Sequence, residues 1–106
     1  DEHFAITSNS GMGVNSISVV DLSIQKEIQR MIVHNTWLGL TFGRSNKTVY
    51  VSGGNDNKIL IFHFEKGRLS ESGSIKVGEK YPKEKISLTG LAFWKKKNRL
   101  LAVSQK

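Results

Sequence analysis

The sequence predicts an all-β protein built from a repeated four-stranded antiparallel meander. Three observations carry this. First, residues 36–57 (TWLGLTFGRSNKTVYVSGGNDN) read as strand, turn, strand and hairpin loop. The apolar-rich run 37–42 ends in a polar turn at 43–47, and a β-branched and aromatic run follows at 48–52. Residues 53–57 close the block with types that tolerate positive φ. Second, moved by 51 positions the block lands on residues 89–103, placing Gly39, Leu40 and Phe42 on Gly90, Leu91 and Phe93, and Val49 on Leu100. Third, residues 4–8 match 49–53 at an offset of 45, and residues 16–22 match 58–64 at an offset of 42. The three extra residues belong to the first hairpin loop, where an insertion costs little.

In order, the strands fall at 4–8, 16–22, 27–33, 37–42, 48–52, 58–64, 69–77, 89–94 and 99–103. Helix competes for residues 22–33, where Leu22, Ile24, Ile28 and Ile32 are loosely helical in spacing. The equivalent stretch of the next copy holds Gly67 and Gly73, which favours strand. Residues 78–85 are a loop whose Pro82 biases Tyr81 to an extended conformation. Lettering the strands a to d within each unit, the chain runs b, c, d; a, b, c, d; a, b. Residues 1–35 form an incomplete unit, 36–78 a complete one, and 89–106 the start of the next.

Four-stranded units repeating every 40–50 residues or so are the mark of β-propeller blades. The run Ile59-Leu60-Ile61-Phe62 is continuously apolar, as a strand buried on both faces requires. A β-sandwich is the structural alternative, but it gives no reason for the Gly39/Gly90 register. A closed propeller needs about four to eight blades, so the expectation is a partial propeller. It is either a piece of a longer polypeptide or a unit that forms a ring with other copies. Alone, such a piece is expected to expose apolar flanks at residues 17–22 and 91–93.

The chain has 106 residues and no cysteine, which excludes a disulfide framework and thiolate metal sites. No apolar run reaches the roughly 18–20 residues of a membrane span, so no membrane insertion is expected. The formal net charge is +7, unevenly spread: residues 1–43 hold two basic residues against four acids, and residues 44–106 hold 14 against five. A basic half suits an anionic partner. The plainer explanation is a set of solvated turn lysines, and nucleic acid is the less favoured partner.

No nucleophile elbow, HExxH, P-loop or paired-cysteine motif is present. No catalytic, metal or cofactor-binding residue is assigned, and no cofactor is expected. The run Gly11-Met12-Gly13 precedes a strand where a dinucleotide loop needs a helix, so it reads as a hairpin loop. Asn55-Asp56-Asn57 offers oxygens to calcium, but a single carboxylate reads better as turn chemistry. Asn46-Lys47-Thr48 matches a glycosylation sequon and also reads as a turn. His3, His34 and His63 have no ligand spacing. In an up-and-down unit the b–c and d–a loops share one edge, giving His34, Asn35, Trp37, Asn55, Asp56 and Asn57 as candidate ligand-face residues. The a–b turns fall on the opposite edge, with Arg44, Lys47, Lys95, Lys96, Lys97 and Arg99 as a candidate basic face.

The runs Val49-Tyr50-Val51-Ser52 and Lys58-Ile59-Leu60-Ile61-Phe62 resemble the YVTN-type β-propeller repeat, VYVTN followed by N-x-V-x-V-I-D. So do Ala5-Ile6-Thr7 and Asn15-Ser16-Ile17-Ser18-Val19-Val20-Asp21. Residues 36–42 with Ser52-Gly53-Gly54-Asn55-Asp56-Asn57 are similar to bacterial propellers fused to an alkaline-phosphatase-type phosphoesterase domain, and Tyr81-Pro82 with Gly90-Leu91-Ala92 adds to that likeness. The chain departs from the pattern at Ser52-Gly53, at His63, and in both a–b turns, which lack Pro-Asp-Gly. WD40 is disfavoured, since neither Gly-His nor Trp-Asp occurs. The resemblance implies an exported bacterial protein, periplasmic or extracellular. It would be a non-catalytic binding or scaffold module whose partners are the rest of the propeller or other copies, with any phosphoesterase activity in another domain. The enzyme alternative is a lactonase-like propeller with tunnel-lining acids on a metal, although residues 37–42 and 89–94 carry no Asp, Glu or His.

Overall fold

The structure, a computed structural model, describes residues 3–9, 14–34, 36, 39–79, 83 and 88–104. Among the described residues, nine strands form three antiparallel sheets in chain order. The first sheet is β1 (Phe4–Asn9), β2 (Ser16–Asp21) and β3 (Lys26–Ile32). The second is β4 (Leu40–Phe42), β5 (Thr48–Ser52), β6 (Lys58–Glu65) and β7 (Arg68–Lys76). The third is β8 (Leu88–Trp94) and β9 (Arg99–Ser104). Every strand pairs with its sequence neighbour, and each sheet is open. No helix spans residues 22–33: Leu22 to Gln25 turn the chain and β3 follows. Asp21 stabilises that turn through Oδ1, which accepts from the backbone N–H of Ser23 at 2.9 Å.

The second and third sheets repeat each other in register. Leu40 lies opposite Val51 and Phe42 opposite Val49; 51 residues on, Leu91 lies opposite Ala102 and Phe93 opposite Leu100. The first and second sheets repeat a finer feature that the sequence does not reveal. Each carries a β-bulge between its last two strands, at Val19/Val20 in one and Ile61/Phe62 in the other, 42 residues apart.

That bulge corrects the alignment of the b strands. With β2 on β6 at 42, Ile6 opposite Val19 corresponds to Tyr50 opposite Ile61, an offset of 44. The offset of 45 expected from the sequence puts Ile6 on Val51, whose side chain faces the other way. A one-residue slip exchanges the two faces of a strand, and only 44 keeps Ile6 on the side that meets the next sheet.

The second sheet lies between the other two. Toward the first sheet it turns Val49, Val51, Leu60, Phe62, Phe64 and Leu69, which form one core with Ile17, Val19 and Val33. Phe4 meets Phe64 edge-on, with ring centroids 5.8 Å apart. Burying a side chain such as Phe62 contributes about 1.5–3 kcal/mol. Toward the third sheet, Tyr50 stacks on Phe93 at 6.1 Å with an interplanar angle of 7°. On the same side the Ser52 hydroxyl donates to the Leu88 carbonyl at 2.7 Å. The continuous apolar run of β6 is thus used on both faces, with Ile59, Leu60 and Phe62 all buried.

Of the apolar residues expected at the exposed flanks, Leu22 is exposed but most of the others are not. Ile17 and Val19 are fully buried, because strand alternation turns both onto the second sheet. Leu91 and Phe93 are half-buried against that sheet from its other side. The large apolar side chains left exposed include Leu22, Ile28 and Ile32 in the first unit, where Ser16 and Ser18 are buried, and Trp94, Leu101 and Val103 on the outside of the third sheet.

The c–d turn of the second sheet shows why its residues are what they are. Lys66 and Gly67 have φ of 54° and 78°. That is the two-residue hairpin geometry that matches strand twist and calls for glycine.

Candidate functional site

Hydrogen bonds sort the loops onto two ends. At one end, Val77 and Gly78 donate to the Asn57 carbonyl at 2.9 and 3.1 Å, and Asn57 Nδ2 donates to the Glu79 carbonyl at 2.7 Å. The first unit repeats the arrangement: Val33 donates to the Asn15 carbonyl at 3.1 Å, and Asn15 Nδ2 donates to the Thr36 carbonyl at 2.9 Å. Each asparagine stands just before a c strand and ties down the chain leaving the d strand. At the other end, Phe64 donates to the Lys47 carbonyl at 2.8 Å, joining the a–b and c–d turns.

Among the ligand-face candidates, His34 and Asp56 come together. They line one groove of about 220 Å3 between the first two sheets, with Met31, Leu60 and Phe62 forming apolar wall and Lys58 and Glu71 adding charge. Asp56 and Lys58 continue into a neighbouring depression of about 370 Å3 that also includes Lys76 and Glu79, a pair 3.3 Å apart. Cations and acids are mixed throughout, so the groove offers an amphipathic surface without a dominant charge. Asn57 is not part of it: at 0% exposure its side chain is spent on the Glu79 carbonyl. Asn35 and Trp37 lie outside the described residues, as does the Asn55 side chain.

The basic face is assembled from two equivalent turns. Arg44 Nη1 donates to the Lys95 carbonyl at 3.3 Å, linking residues 51 positions apart in the repeat. Lys95–Lys97 form a short 3-10 turn closed by Asn98 in the left-handed region. Arg44, Lys95, Lys96, Lys97 and Arg99 are all exposed, with Trp94 beside them at 45% exposure. Lys47 is drawn aside: its Nζ lies 3.6 Å from Glu65, which also sits 3.7 Å from His63. One carboxylate therefore offsets part of the charge expected there.

A polar network on the outside of the first sheet was not legible in the sequence. Asn9 Nδ2 donates to the hydroxyls of Ser16 and Ser18 at 3.1 and 2.8 Å, and Ser18 donates to Glu27 Oε2 at 2.6 Å. Arg30 approaches the same oxygen at 3.0 Å. The Ser18 hydroxyl, and after it the Arg30 guanidinium, hold the Glu27 carboxyl below the usual carboxylate range. The bonded residues sit on three successive strands, and strand pairing brings them together.

Among the described residues, no group of three or more His, Cys, Asp or Glu side chains is placed to hold a metal ion. No helix there is long and apolar enough to cross a membrane. No protein-family model matches the chain, and no curated protein matches it.

Proposed function

We propose that this chain is part of a β-propeller serving as a binding or scaffold module, with no catalytic centre of its own. The observation that carries the reading is the repeated register. Successive antiparallel sheets stack through equivalent faces, with a-on-b pairing reproduced at a spacing of 51 residues and the c–d bulge at 42. Binding is assigned to the end that holds the b–c and d–a loops, at the groove of His34, Asp56 and Lys58. Its apolar wall and mixed charges suit a small amphipathic molecule or a peptide segment. The resemblance to YVTN-type repeats supports an exported bacterial setting, with any phosphoesterase chemistry carried by a separate domain.

A second reading rests on the Arg44–Lys95 contact, which gathers five cations on the opposite end. That end would take a polyanion weakly and without sequence preference. The lactonase-like alternative gains no support from β4 and β8, which contain no acidic residue or histidine.

The test is a ligand screen by NMR on the 106-residue chain, run beside turnover assays with phosphate esters and lactones. Shifts clustered at His34, Asp56 and Lys58 without turnover are expected. Turnover abolished by a substitution within this chain would overturn the non-catalytic reading, and shifts confined to the Lys95–Lys97 turn would move the site.

A further inference from the structure

Gly39 and Gly90 hold the same place in successive units but meet different surroundings. The Gly39 carbonyl accepts the Ser52 N–H, and Gly90 lies opposite Val103, each number raised by 51. A Cβ on Gly39 would run into the backbone carbonyl oxygen of Thr89, so only glycine lets the third sheet come so close. At Gly90 a Cβ would meet nothing nearer than the Val103 side chain of its own sheet, at 3.7 Å. Gly90 does not have positive φ either. Its own sheet therefore gives no reason for glycine, which weakens a strand interior and often marks a place where another backbone approaches.

The face around Gly90 points the same way. Cross-strand pairing puts Ala92, Trp94, Leu101 and Val103 on one side of the third sheet. Trp94, Leu101 and Val103 are 45%, 49% and 60% exposed. The equivalent side of the second sheet, with Tyr50 and Ser52, is the side that the third sheet covers.

We propose that the outer face of β8–β9 is an interface for a further unit of the same repeat. That unit's inner strand sets a backbone carbonyl against Gly90 as Thr89 does against Gly39. The occupant is a unit outside these 106 residues rather than a second folded copy. In a folded copy, the apolar faces of matching kind are already covered by its own sheets. The outside of its first sheet is centred on the hydrogen-bonded set Asn9, Ser18, Glu27 and Arg30, with Ile32 exposed at one end, a mainly polar face that matches Leu101 and Val103 poorly. The proposal rests on the propeller reading for the shape of the assembly and on the glycines for the contact.

The test extends the chain after Ser104 with a second copy of its own residues 54–104. This supplies c and d strands for the third sheet and a new a–b hairpin to cover it. In the 106-residue chain, Gly90→Ala should move Tm by no more than about 1 °C, whereas Gly39→Ala should lower it by several degrees. In the extended chain the original Gly90→Ala should become as harmful as Gly39→Ala. Leu101→Glu, tolerated in the short chain, should destabilise the long one. Equal effects of Gly90→Ala in both chains would overturn the proposal, and so would failure of the extended chain to melt cooperatively. Concentration-dependent dimers of the short chain abolished by Leu101→Glu would overturn the choice of occupant. The extended chain still holds fewer than four complete units and stays open, so the curvature of the stack decides: if all expectations hold but scattering shows a straight stack, the interface stands and the propeller reading falls.

Discussion

Gln29 holds the backbone of Leu69 by both of its polar groups. Its Nε2 donates to the Leu69 carbonyl at 2.9 Å, and the Leu69 N–H donates to its Oε1 at 2.7 Å. Leu69 lies on β7, the last strand of its sheet, opposite Phe64. Two residues out from the tight turn, the pair makes no mutual hydrogen bonds, so the N–H and C=O of Leu69 point to the free edge. There the amide of a residue on the first sheet stands in for a fifth strand. The contact joins two sheets and closes a stretch of open edge.

Removing that amide should therefore cost more than a surface substitution. Gln29→Ala leaves two buried backbone groups without partners, a penalty of about 1–3 kcal/mol. Urea denaturation should show a lower midpoint with an unchanged slope. Gln29→Glu keeps the acceptor but sets a carboxylate against the Leu69 carbonyl. It should be at least as harmful at neutral pH and partly recover in acid, where the protonated carboxyl donates again.

The asparagines at the head of each c strand call for a paired test. Asn57→Ala removes a buried donor from the Glu79 carbonyl, and Asn15→Ala does the same at Thr36. Each should cost about 1–3 kcal/mol. They sit in different sheets, so a double variant should lose close to the sum of the two. If Asn57→Ala abolished ligand binding while leaving stability untouched, its structural role would be wrong.

These residues also show how far the sequence could be read. Strand positions were legible because β-branched and aromatic runs are bounded by turn residues, and the Gly39/Gly90 match fixed the order of the units. The b-strand offset that the sequence suggests is one too large, because FAITS and VYVSG look alike whichever face they present. The bulges that decide the matter leave no mark in either strand. Asn57 looked like a ligand-face residue because turn chemistry and binding chemistry use the same side chains. Only its burial shows which applies. Gln29 carried no signal, since its partner is a backbone 40 residues away.

Acid should weaken the first sheet through Glu27. Its pKa is lowered on folding, first by the Ser18 hydroxyl and then by Arg30. A group whose pKa falls on folding contributes stability above its unfolded pKa and loses it as pH drops through the folded value. The contribution is thus complete at neutral pH and fades below the ordinary glutamate range. Asp21, lowered mainly by the Ser23 hydroxyl, adds a change of the same sign. Glu27→Gln should flatten the fall of Tm with acid in that window and leave the profile above pH 6 or so parallel to wild type. An identical acid limb in the variant would show that the network does not bear on stability.

The basic face is tested by salt. Lys47 is engaged by Glu65, leaving Arg44, Lys95, Lys96, Lys97 and Arg99 as the other cations around the a–b turns. Single-stranded nucleic acid releases counterions with a log–log slope of about −0.7 per phosphate contacted. Five contacts would give roughly −3.5, and Lys95/Lys96/Lys97→Ala would reduce its magnitude by about 2. Stacking would add affinity only where rings are exposed in series, and Trp94 is the exposed ring beside these residues among those described. The lysines of the 3-10 turn are all exposed, where solvent and salt screen their charges. The expected result of a salt titration with single-stranded DNA is weak binding whose slope is the same in wild type and triple variant. That outcome makes the lysines solvated turn residues. A slope reduced by about 2 would instead assign them to a polyanion and shift the functional end of the molecule from the His34–Asp56 groove to the a–b turns.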